Sequence, residues 1–201
     1  MVRNLKRWLD VDGPGFLRQA GVKEGDFVLD FGCGEGHYTI PAAMVVGQDG
    51  KVYAFDKDDM ALEYLSREIE NRGIKNIRIL KGDLAIPLND VCIDTALCYD
   101  VIHYFKDREC LYREIYRVLR EGGLFSLYPK HNRDDFPLME LASLNLEDII
   151  EEVQREGFVL QNKLQGDIFH DEYYNEGIVL NFRKLGEKGY SRKGRSNEKE
   201  I

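Results

Sequence analysis

Val28-Leu29-Asp30-Phe31-Gly32-Cys33-Gly34-Glu35-Gly36-His37 places three glycines at alternate positions behind strand-forming residues and an acid. Without a Cβ, the backbone at such positions turns sharply and lets a ligand come close. Tyr38-Thr39-Ile40-Pro41-Ala42-Ala43-Met44 then reads as the start of a helix. Strand, glycine turn and helix together form the nucleotide-cofactor end of a doubly wound α/β sheet. The spacing is G-x-G-x-G and not G-x-G-x-x-G, so no pyrophosphate has to rest on the helix N-terminus. Asp56 follows a second strand-like stretch, where ribose-binding acids lie in such sheets. Its other reading is a helix N-terminal acid.

A second pattern involves histidine. His37, His103, His131 and His170 each follow the carboxyl end of a predicted strand or lie in the loop there. Ligands of such sheets bind outside those ends, so all four can face one cleft, joined by Asp134, Asp135, Asp171 and Glu172. A set of this kind serves proton transfer or holds a metal that binds a substrate group. Against both stands the plain reading that polar loops carry polar residues.

The elements that must position these residues alternate along the chain. Phe27–Phe31, Lys51–Asp56, 77–80, 91–99 and 124–128 read as strands, the fourth apolar enough to be buried on both faces. Between them run helical stripes: Ile40, Ala43, Met44 and Gly47; Leu62, Leu65 and Ile69, stopping near Gly73; Leu111, Ile115, Val118 and Leu119, closed by Gly122-Gly123. Leu146, Ile149, Ile150 and Val153 form a further helix ending at Gly157. Residues 158–164 and 177–182 read as two strands with no helix between them, so they pair antiparallel. The expected fold is a doubly wound, mostly parallel seven-stranded sheet with one antiparallel strand. The loop 166–176 then sits at the carboxyl edge, with Tyr173 and Tyr174 as lid or pocket residues or as part of a solvated hairpin turn. Residues 3–10 and 14–20 read as two short helices, with Pro14 suited to a first helical position.

With 201 residues, 43% of them hydrophobic, the chain is long enough for one domain with a single core, expected over residues 1–185. No apolar run reaches the ~20 residues of a membrane helix, and no signal core follows the basic N-terminus, so a cytoplasmic location and no membrane partner are expected. A net charge of -8 argues against a phosphate-backbone partner. From Arg183 onward there are seven Lys or Arg against three Glu. Residues 186–201 read as a disordered, solvated basic tail. The four cysteines (33, 92, 98, 110) form no C-x-x-C pair, which leaves neither a zinc knuckle nor a redox dithiol. Cys92 and Cys98 read as small core residues.

From about residue 14 to 184 these motifs together resemble the class I S-adenosylmethionine (SAM)-dependent methyltransferases, of the type acting on small molecules. Val28 to Gly36 looks like the family's first motif, Asp56 its second and Gly82-Asp83-Leu84 its third. Residues 93–105 are similar to the fourth strand and its loop, and 117–123 to the helix end before the fifth. The resemblance implies SAM as cofactor. Gly32, Cys33, Gly34 and Gly36 would pass against its methionine and ribose portions, and Asp30 would hold the turn or the ammonium. Asp56 would take the ribose hydroxyls, Lys57 would lie along the adenine, and Asp83 and Leu84 would meet its amino group and face. Tyr99 and Asp100 would stand beside the methyl. The loop Tyr99-Asp100-Val101-Ile102-His103-Tyr104-Phe105 carries an acid, an imidazole and a phenol in place of an Asn-Pro-Pro-aromatic motif. Asp100, His103 and Tyr104 are the catalytic candidates, with His103 the natural base near neutral pH. A small-molecule acceptor is expected. The rivals are transfer to a protein or RNA, with the tail as anchor, and SAM binding without transfer. The glycine spacing and the antiparallel ending argue against a nicotinamide dehydrogenase.

Overall fold

The computed structural model describes residues 2–170 and 173–186. Strands β1 (Phe27–Phe31), β2 (Lys51–Asp56), β3 (Ile77–Lys81), β4 (Ile93–Tyr99), β5 (Leu119–Tyr128), β6 (Phe158–His170) and β7 (Tyr173–Lys184) make one sheet. Their order is β3-β2-β1-β4-β5-β7-β6. The first five strands pair in parallel, and β7 runs antiparallel to both β5 and β6. The strand order reverses between β1 and β4, which opens a crevice at their carboxyl ends.

Alternating side chains of the central strands feed two apolar layers. Ala96 and Cys98 of β4 pack with Leu111 and Ile115 of α5 (Arg108–Val118) and Ile149 and Val153 of α6 (Leu146–Arg155). Leu97 and Tyr99 pack with Leu17 of α2 (Gly13–Ala20), Ile40 of α3 (Thr39–Val46) and Leu65 of α4 (Asp59–Arg72). Helix α4 starts where Asp58 accepts from the amides of Met60 and Ala61, and ends at left-handed Gly73. It therefore leaves β2 directly after Asp56 and holds that residue at the crevice.

Three expectations for β4 to β7 need correction. Gly122-Gly123 does not close α5, which ends at Val118. Leu119 is already extended and pairs with Ile93, and the ladder then shifts to Thr95 with Leu124. Gly122, at φ 71°, absorbs the extra residues as an irregularity inside β5. The strand read as 91–99 begins at Ile93, because Val91 stands exposed at φ 56° ahead of it. The loop read as 166–176 is strand on both sides, with pairing continuing to His170 with Tyr173. Polar residues hide the alternation there. This outer half of the hairpin is flanked on one side only, since the β5–β7 ladder stops at Leu127 with Leu180. Asp171 and Glu172, and the basic tail from residue 187, lie outside the described residues.

The free end of this ribbon folds onto the N-terminal segment. Between α1 (Val2–Arg7) and α2 the chain makes a π-helical turn, Trp8–Asp12, where two separate helices were expected. Trp8 is fully buried. It stacks on Phe169 of β6 at 5.7 Å, meets Tyr38 and Tyr174 edge-on, and donates from Nε1 to the His37 carbonyl at 2.8 Å. The Tyr174 hydroxyl donates to Asp12 at 2.7 Å. One indole thus joins the N-terminus, the loop after β1 and the ribbon that carries His170. Trp8→Ala should lower the unfolding free energy in urea by about 3–5 kcal/mol. A loss below about 1 kcal/mol would show that the ribbon is held by other means.

Candidate active site at the carboxyl edge

A cleft of about 420 Å³ opens at the strand-order reversal, lined among others by Gly32, Gly34, Asp56, Asp83, Asp100 and Tyr104. The amides of Gly32 and Cys33 donate to the Phe55 carbonyl at 2.8 and 3.2 Å, folding the glycine turn onto the end of β2. Gly32 has φ 75°, and a Cβ there would stand 2.3 Å from Val101 Cγ2. Only glycine fits so close to the loop that follows β4. Gly34, at φ 49°, has nothing among the described residues within 4 Å of where its Cβ would be, so its backbone faces open space. Gly36 instead packs against Leu65, behind the turn.

Asp56 ties this end together. Its Oδ2 accepts from the Gly34 amide at 2.8 Å, and its Oδ1 accepts from the amides of Lys57 and Asp58 at 2.7 and 3.0 Å. Lys57 Nζ lies 3.4 Å from Asp83 Oδ1, an exposed pair at the mouth of the cleft. Besides Gly36, four sequence candidates are placed elsewhere. Asp30 is buried beneath the turn and accepts from the Thr39 hydroxyl at 2.5 Å. Cys33 is buried with its Sγ towards the Gly34 carbonyl, and burial pushes its thiol pKa up. Leu84 packs against the layer shared with α5 and α6. Tyr99 turns into the other layer, where its hydroxyl bonds Ser126 Oγ at 2.6 Å and Ser126 bonds Asn181 at 2.7 Å. That chain of polar groups ties β4, β5 and β7 to one another. Sequence reading passed over Val101 and Phe105 as cleft walls, although both lie in the loop already singled out.

At the inner end of the cleft stands Asp100, held at φ 58° with its amide donating to the Tyr128 carbonyl at 3.0 Å. Three of the four histidines gather around its carboxylate. His103 Nδ1 lies 3.4 Å and His131 Nε2 3.5 Å from Oδ1, and His170 Nε2 lies 2.5 Å from Oδ2. The His131 ring is 4.8 Å from that of His103 and 5.4 Å from that of His170. His103 is 1% exposed, and this burial lowers its pKa, with Asp100 opposing. His37 stands outside the group, edge-on to Phe169. Asp135 pairs with Lys130 and Asp134 with Arg133, so neither joins the histidines. Tyr104 stacks near the His103 ring at 3.9 Å and is largely exposed.

The family model described as a methyltransferase domain matches residues 22–184. The chain belongs to that family. It is a class I SAM-dependent methyltransferase domain. Over 113 residues, 55% of the chain, it is 34% identical to a sterol 24-C-methyltransferase from Aspergillus fumigatus, covering 29% of that protein. Over 110 residues, 54% of the chain, it is 33% identical to a demethylmenaquinone methyltransferase from Lactobacillus johnsonii, covering 45% of it. The chain thus spans less than half the length of these two relatives. A SAM-dependent methyltransferase from Aquifex aeolicus superposes with a TM-score of 0.73 at 22% identity, covering 89% of this chain and 93% of that one, a likeness of fold. The cleft of this methyltransferase domain fits a nucleoside cofactor on its own geometry. The Gly34 backbone is open to it, and among the described residues Asp56 Oδ2 accepts one bond, leaving an acceptor position. No helix among the described residues is long and apolar enough to cross a membrane.

The burial of Asp30 raises its pKa to about 7, against the hydrogen bond from Thr39. A carboxyl whose folded pKa is raised contributes stability that is full below its unfolded pKa near 4 and is lost as pH rises through 7. Asp30→Asn removes this titration and keeps an acceptor for Thr39. The variant should gain on the parent by up to about 4 kcal/mol between pH 4 and 7, with no further change above. A difference between the two proteins that stays constant from pH 4 to 8 in denaturant titrations would contradict the assignment.

Proposed function

We propose that this domain transfers the methyl group of SAM to a small-molecule acceptor bound at the carboxyl ends of β4 and β5 and the tip of the β6–β7 ribbon. The observation that carries the reading is the cleft itself, with the glycine turn and Asp56 at one end and Asp100 at the other. Bound there, SAM supplies an electrophilic methyl on a sulfonium centre. Asp56 spends three of a carboxylate's about four acceptor positions on backbone amides. It would therefore take one ribose hydroxyl on Oδ2, and the second hydroxyl would need another partner or a displaced amide. The Lys57 stem and Asp83, paired at the mouth of the cleft, would flank the adenine. The small size of the acceptor is supported by the relatives named for sterol and demethylmenaquinone methylation. A cytoplasmic setting belongs to the same reading.

Methyl transfer asks mainly for alignment, together with removal of a proton where the acceptor carries one. Asp100 is the member of the histidine group that lines the cleft, and His103 lies behind it. A proton leaving the acceptor is received by this pair, with the buried imidazole of His103 kept neutral by desolvation. Tyr104, exposed at the rim, guides the acceptor.

Calorimetry should show S-adenosylhomocysteine binding and no binding of NADH. Asp56→Ala should weaken S-adenosylhomocysteine by about 2 kcal/mol, the range of a hydrogen bond to a charged group. An unchanged melting temperature would show that the fold survives the substitution. Unaltered affinity would remove Asp56 from the site, and binding of NADH in place of S-adenosylhomocysteine would end the methyltransferase reading.

A further inference from the structure

We propose that Asp100, His131 and His170 form a binding site for one divalent transition-metal ion of the Zn²⁺ or Co²⁺ class, at the inner end of the cleft. Two imidazole nitrogens and a carboxylate oxygen are the donor set such ions take, and these atoms all lie within 4.8 Å of one another. Zinc bonds of about 2.0–2.2 Å in tetrahedral geometry put ligand atoms about 3.3 Å apart. The 3.5 Å separation of His131 Nε2 from Asp100 Oδ1 meets that spacing, and the 2.5 Å of His170 Nε2 from Oδ2 needs to widen by about 1 Å.

The tautomer of His131 carries the argument further. Its Nδ1 lies 3.0 Å from the Phe136 carbonyl, which can only accept, so Nδ1 holds the proton. Nε2 then either points a lone pair at the carboxylate oxygen or carries a second proton shared with it. Two electron-rich atoms facing each other repel unless a cation lies between them. A ring nitrogen fixed in this way by a backbone carbonyl is the outer-shell arrangement of metal-bound histidines. A second, independent observation points the same way. Asp100 Oδ1 and His103 Nδ1, 3.4 Å apart, are both buried and make no hydrogen bond among the described residues, and His103 is 1% exposed. Buried polar atoms left in this state are rare and unfavourable. The ligands are also placed by strained or tethered backbone: Asp100 at φ 58° and His131 at φ 69° are left-handed without being glycine. His170 follows Phe169, the residue stacked on Trp8.

Three protein ligands leave a fourth position open in a tetrahedral site. Asp100 borders the cleft, and an acceptor bound there with an oxygen or sulfur donor would take that position. This last step rests on the methyl-transfer reading. Metal binding itself does not, since it follows from the ligand geometry alone. The competing occupant of the group is a proton shared among the imidazoles.

The test is calorimetry of the chelator-treated full chain with zinc sulfate, repeated with cobalt chloride under visible absorption. One Zn²⁺ per chain and a visible band from tetrahedral Co²⁺ are expected. His131→Ala and His170→Gln should each weaken Zn²⁺ about 100-fold and abolish the band. Cys110→Ser, on α5 away from the cluster, should leave both unchanged. Circular dichroism melts separate loss of fold from loss of a ligand, and Zn²⁺ should raise the melting temperature of the parent but not of His131→Ala. Absence of stoichiometric binding, or binding that survives both histidine substitutions, would overturn the site and leave the shared proton. Titration with S-adenosylhomocysteine in the same samples distinguishes the two readings. If it binds while Zn²⁺ does not, the metal site alone fails. If Zn²⁺ binds while it does not, methyl transfer fails and the metal site stands.

Discussion

A single carboxylate at the end of the central strand links the cleft to the histidine group behind it. Asp100 takes its place because β4 is buried on both faces and its last rung, the Asp100 amide on the Tyr128 carbonyl, fixes where the chain leaves the sheet. The left-handed turn at that point sets Asp100 at the wall of the cleft with three imidazoles around its two carboxylate oxygens. A charge so placed is costly to bury without partners. The histidine group, the loop after β5 and the ribbon tip are arranged to meet it.

The two ends of the cleft are built by different physics. At the Asp56 end, backbone amides do the work. The glycine turn folds onto the Phe55 carbonyl and Asp56 collects three N–H groups, a rigid cradle that needs no large side chains. At the Asp100 end, side chains from distant segments converge, and packing brings them there. Trp8 clamps the ribbon through Phe169 and Tyr174, so a residue near the N-terminus sets the position of His170. The rigid end suits an invariant nucleoside, and the assembled end suits the chemistry of a particular acceptor.

The cradle was legible in the sequence because it is local. Three alternate glycines, an acid ending the next strand and the helix stripes between them all lie within some thirty residues, and each follows from backbone sterics or periodicity. The reversed last strand was legible too, from the missing helix before it. What stayed hidden depends on where a strand ends and on long-range packing. Tyr99 sits next to Asp100, yet it is the last strand residue and enters a core layer, while the left-handed turn at Asp100 carries that residue to the cleft. Asp30 and Cys33 belong to the glycine motif but lie beneath it. Gly122-Gly123 reads as a helix stop from composition alone, and only pairing with β4 makes it a strand irregularity. The histidines were visible as a pattern at strand ends. Their convergence on one carboxylate, with His37 left out, required the fold.

The central claim is that the cleft runs from Asp56 to Asp100, with the reacting end at Asp100. A crystal structure with S-adenosylhomocysteine measures this directly. The expected result has a ribose hydroxyl on Asp56 Oδ2, the adenine between Lys57 and Asp83, and the sulfur turned towards Asp100 and the histidine group. A nucleoside bound in the opposite sense, with its adenine against Asp100, or one seated outside this cleft, would contradict the account.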